Sequence, residues 1–120
     1  MPEITPQDII NDAADNIEPC LWTQGTYGPD QDGKLCLVGM LAKAAGAELG
    51  SDERYFPENI PGENEDAFRA AIDIVADYIG LGQSDSVRRD FLVDVWNDDP
   101  EREFQDVRNV LLAAQIKVAA

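Results

Sequence analysis

The sequence predicts a mainly α protein: a compact, irregular bundle of about five helices with two long loops, folded as one acidic domain over residues 1–120. Three observations carry that expectation. Apolar residues recur at helical spacing in successive stretches. Gly and Pro punctuate the intervals between them. The apolar share of 44% is that of a chain able to bury a core, so disorder is not expected.

The first helix is marked by Thr5 as a side-chain cap, Pro6 at the first helical position and Asp8 in the first turn. Ile9, Ala13 and Ile17 form one apolar row, with Ile10, Ala14 and Leu21 beside it. Pro19 disfavours helix at Glu18 and should end it there. Trp22 to Lys34 then reads as a loop or a short β-hairpin (near residues 22–35), since Gly25, Gly28, Pro29 and Asp32-Gly33 all form turns.

A second helix fits Leu35 to Ala45, with Leu37, Val38, Leu41, Ala44 and Ala45 on its apolar face and Gly46 as the left-handed residue that ends it. Gly50 to Asn64 is the second long loop, broken by Pro57 and Pro61-Gly62; its aromatics Tyr55 and Phe56 are expected to fold back onto the core. The third helix is capped by Asn64, carries Glu65 and Asp66 in its first turn and buries Phe68, Ala71, Ile72, Val75 and Ile79 before Gly80. A fourth is expected from Ser86 to Trp96 with Val87, Phe91 and Val95 in one row, although the alternating Val93 and Val95 could instead be strand. A last helix begins at Asp99-Pro100, with Phe104, Val107, Leu111 and Ala114 inward.

Charge narrows the function classes. Asp and Glu number 24 against 9 Lys and Arg, and the formal charge is −15. Such a field repels nucleic acid and anionic membranes and attracts basic surfaces. The chain contains no His, which removes Ser-His-Asp and Cys-His catalysis. Cys20 and Cys36 alone make no zinc motif. Residues 1–10 carry neither a basic segment nor a long apolar stretch, and no run approaches the ~18 apolar residues of a membrane span. A cytoplasmic location with two thiols is therefore expected, although a Cys20–Cys36 bond depends on geometry.

No constellation carries chemistry on spacing alone. Asp30, Asp32 and Gly33 echo a calcium loop, but the register puts Gly28 and Gly39 where Asp and Glu belong. Asp94, Asp98 and Asp99 could approach a hard cation, yet capping is the more economical reading. Cys36 near a helix start could be a nucleophile, but a Cys on an apolar helix is more often a small buried hydrophobe. Gly25-Thr26-Tyr27-Gly28 lacks the Lys-Ser/Thr of a phosphate loop. No metal and no cofactor is expected.

Trp22-Thr23-Gln24-Gly25, Cys36-Leu37-Val38-Gly39-Met40-Leu41 and Trp96-Asn97-Asp98 taken together resemble the W-x-Q-G, C-x-x-G-x-L and W-N-D motifs of a family of small uncharacterised bacterial and phage proteins. The resemblance implies a shared fold, a phage or mobile-element setting, and no catalytic residue. It also implies that Trp22, Gln24, Gly25, Cys36, Gly39, Trp96, Asn97 and Asp98 form one cluster, expected to serve packing and hydrogen-bond satisfaction.

The functional expectation is a non-enzymatic acidic protein-binding module, a phage-type inhibitor or nucleic-acid mimic that engages a basic nucleic-acid-handling host protein. Its contact surface would include Asp12, Asp15, Glu63, Glu65, Asp66, Asp73 and Asp77. Two alternatives stand beside it: an enzyme or small-ligand binder using Trp22, Cys36, Asn97 and Asp98, and a dimeric scaffold joined through the apolar faces of the third and last helices.

Overall fold

The computed structural model describes residues 4–15, 22–24, 34–47, 60–79, 93 and 95–119. They form a mainly α fold. The labelled helices are α1 (Pro6–Asp15), α2 (Leu37–Ala44), α3 (Glu65–Ile79) and α4 (Phe104–Ala119), with a 3-10 turn at Gly62–Asn64 leading into α3. Val93 and residues 95–97 are also helical.

α2 is the most deeply buried of the labelled helices. Leu37 through Ala42 are all buried, so the helix has no solvent face over that length. α1 packs against α2, α3 and α4, and α3 packs against both α2 and α4. Ile9, Ile10 and Ala13 of α1 meet Phe68, Ala71, Ile72 and Val75 of α3 and Val107, Leu111 and Ala114 of α4 in one core. Phe68, Ala71, Ile72, Val75 and Ala76 of α3 and Val107, Leu111 and Ala114 of α4 are thus buried within the chain. The radius of gyration is 13.1 Å, close to the ~13.6 Å of a compact domain of this length. Among the described residues, no helix is long and apolar enough to cross a membrane.

The helix ends follow from local chemistry. Thr5 and Asp8 cap α1 reciprocally: the Asp8 N–H donates to Thr5 Oγ1 (3.1 Å) and the Thr5 N–H to Asp8 Oδ2 (3.0 Å). α2 closes in a Schellman motif, with the Ala47 N–H donating to the Ala42 carbonyl and the Gly46 N–H to that of Lys43, both at 3.0 Å. Gly46 holds φ at 93° to permit this.

Several expected features take another form. Asn64 does not cap α3 through its side chain; its Nδ2 donates to the Ala45 carbonyl (2.8 Å) and ties the entry of α3 to the end of α2. Residue 95 lies on the outside: Val95 is 57% exposed whereas Val93 is fully buried. Residues 93 and 97 share a helix face and 95 opposes it, so the inward pull of Val93 and Asn97 turns Val95 to solvent. The last helix starts at Phe104, not at Asp99-Pro100. Asp99 to Arg102 is a β-turn closed by the Arg102 N–H on the Asp99 carbonyl (2.9 Å). Asp at the first and Pro at the second turn position serve that turn as well as they serve a helix start. The ends of the 22–35 stretch meet at one isolated bridge of parallel sense, Trp22 to Leu35, rather than as antiparallel hairpin strands. The turn residues between, with Tyr55, Phe56, Val87 and Phe91, lie outside the described residues.

Gly46 provides the test of this packing. A Cβ there would lie 3.2 Å from Asn64 Nδ2 on a left-handed backbone. Gly46→Ala should destabilise the protein by about 1–2 kcal/mol, read as a lowered urea midpoint at unchanged slope. An unchanged midpoint would mean that the Ala45–Asn64 junction adapts freely.

Candidate functional site

The start of α2 has donors to satisfy, as every helix N-terminus does. Cys36 is its capping residue, extended at φ −79° and ψ 174°, and its Sγ accepts from the Gly39 N–H at 3.3 Å. The first helical N–H, that of Leu37, is instead satisfied from 60 residues away, by Asn97 Oδ1 at 3.1 Å.

Asn97 is the one buried polar side chain among the described residues, at 0% exposure. Its Oδ1 also accepts from Trp22 Nε1 at 2.7 Å. Its Nδ2 donates to the Thr23 carbonyl (3.2 Å) and to Asp98 Oδ1 (3.1 Å). A carboxamide offers two donors and, on its oxygen, two acceptor positions, and here all are used. Two donors converge on one end and two acceptors on the other, which fixes the amide orientation from the network itself. Gln24 completes the clasp: its Nε2 donates to the carbonyls of Asn97 (2.8 Å) and Asp99 (2.7 Å).

A second layer covers this knot. The Arg102 guanidinium lies over the Trp96 ring at 4.0 Å from the centroid, and its Nε donates to the Trp96 carbonyl at 3.0 Å. Asp99 and Asp106 each approach Arg102 at 3.9 Å. Trp22 tilts against Phe104, with ring centroids 6.5 Å apart. The loop at 22–24, the N-terminus of α2, the 95–99 corner and the start of α4 are thus joined in one place.

Of the motif residues read from the sequence, Trp22, Gln24, Cys36, Gly39, Trp96, Asn97 and Asp98 all lie in or beside this knot; Gly25 falls outside the described residues. Sequence reading missed Thr23 and Leu37, which contribute backbone groups and leave no side-chain signature. It also missed Arg102, whose six-residue distance from Trp96 fits no helical spacing because a turn intervenes. The chemistry of the arrangement is satisfaction and packing. Cys36 is a thiol, buried to 2% exposure, and its sulfur serves the helix start.

The acidic candidates lie elsewhere. Asp12 and Asp15 are on α1, Glu63 on the 3-10 turn and Glu65, Asp66, Asp73 and Asp77 on α3, and all seven are exposed. Glu65 pairs with Arg69 at 2.7 Å, and Asp15 accepts from Gln115 at 3.5 Å. Asp66, Asp73 and Asp77 share one side of α3, opposite its buried row. Among the described residues, no three His, Cys, Asp or Glu side chains gather to hold a metal ion. Asp30, Asp32 and Asp94 lie outside them.

A family model matches residues 1–116, nearly the whole chain. The chain belongs to DUF6197, a family of unknown function. No curated protein and no solved structure matches it significantly. Membership in DUF6197 therefore brings no activity, substrate or partner with it, and functional argument rests on the residues themselves.

Two substitutions test the knot. Asn97→Ala strips the acceptor from two donors and should cost roughly 3 kcal/mol or more, whereas Trp22→Phe removes one hydrogen bond and should cost about 1 kcal/mol. Equilibrium unfolding by urea checks both; a loss under about 1 kcal/mol for Asn97→Ala would contradict the central role of the amide. At position 36 the order should be Ser above Ala in stability, by about 1 kcal/mol, because a hydroxyl still caps Gly39 and a methyl does not. Equal stabilities would show that the sulfur contributes packing alone.

Proposed function

We propose that this member of DUF6197 is a non-enzymatic protein-binding module whose acidic surface engages a basic protein that handles nucleic acid. The observation that carries the reading is the exposed row of Asp66, Asp73 and Asp77 on α3, within a chain of net charge −15. At the helical rise, these carboxylates are spaced about 10 Å and 6 Å along the axis. Carboxylates so spaced can occupy a Lys/Arg groove in place of phosphates, and the long-range field speeds encounter. In the bacterial or phage setting implied by the motif resemblance, such a mimic acts as an inhibitor of a host protein.

The placement of the acids adds support. Asp77 sits in the last turn of α3 and Asp15 ends α1, and neither helix has a basic residue in its last turn. Carboxylates there oppose the helix dipole, each at a cost of about 0.3–1 kcal/mol. An enzyme or ligand-binding reading built on Trp22, Cys36, Asn97 and Asp98 draws less support: Cys36 and Asn97 are buried, and the Asn97 amide is fully committed to hydrogen bonds within the chain.

The test is a tagged pull-down from bacterial lysate at low salt, with elution by duplex DNA, comparing the wild type with the triple variant Asp66→Asn/Asp73→Asn/Asp77→Asn. The wild type should retain DNA- or RNA-binding proteins that duplex DNA and high salt release. The triple variant should retain roughly tenfold less, the effect of losing three screened ion pairs of about 0.5 kcal/mol each. Equal capture by both forms, or capture indifferent to DNA and salt, would overturn the reading.

A further inference from the structure

We draw no further inference here: the strongest candidate, the exposed row of Asp66, Asp73 and Asp77 on the outer side of α3 with Tyr78 beside it, belongs to the surface already proposed, and nothing in the structure shows what covers it.

Discussion

The buried amide of Asn97 is the constraint on which the rest of the structure depends. It joins segments 60 to 75 residues apart in sequence: the Trp22–Thr23 loop, the first turn of α2 and its own corner before α4. Closing loops of that length costs chain entropy that only several simultaneous contacts can offset. A half-made version of the same cluster would leave a polar group in the core, at roughly 1–3 kcal/mol for each unsatisfied donor or acceptor. The knot is therefore close to all-or-none, and with it the docking of α2. Since Leu37 to Ala42 have no exposed side, a helix whose N-terminus is not held there would expose most of the core.

This gives the motif residues a physical reason that is independent of any activity. Asn97 needs a carboxamide because two donors and two acceptors meet it at opposite ends; a carboxylate meets only the donors and an aliphatic side chain meets neither. Trp22 needs an indole N–H for the amide and a ring for Phe104. Gln24 must bridge two carbonyls at the corner. The residues of these three segments thus encode how the fold closes.

Legibility in the sequence followed the range of the interaction. Thr5, Pro6 and Asp8 announce α1 because a capping box is local, and Gly46 announces the end of α2 because only a left-handed residue permits the Schellman bonds. The buried row of α3, from Phe68 to Val75, is visible in its period. Ambiguity began where one residue pair suits two structures. Asp99-Pro100 serves a β-turn or a helix start, and the turn prevailed because Gln24 and Arg102 hold the carbonyls of residues 96, 97 and 99 in place. Val95 faces solvent for a similar reason: the register of that helix is set by Asn97, a polar residue that apolar periodicity does not count. At the site, the motif residues could be grouped from sequence, but the backbone groups of Thr23 and Leu37 and the stacking of Arg102 on Trp96 arise only in three dimensions.

The same physics sets two groups of the acidic residues apart. Asp8, Glu65, Asp66 and Asp106 stand in first turns, where the helix dipole favours a carboxylate; Asp8 and Asp106 also accept backbone N–H bonds. These placements stabilise the helices, so Glu65 and Asp66 have a local reason as well as the proposed one. Asp15 and Asp77 stand at helix C-termini, and each adds to the self-repulsion of a chain at −15. Solubility does not require that placement, since the same charge in a first turn would serve it as well and would also favour the helix. A protein with a Lys/Arg groove, the partner proposed above, would relieve that repulsion on closing over the acidic surface.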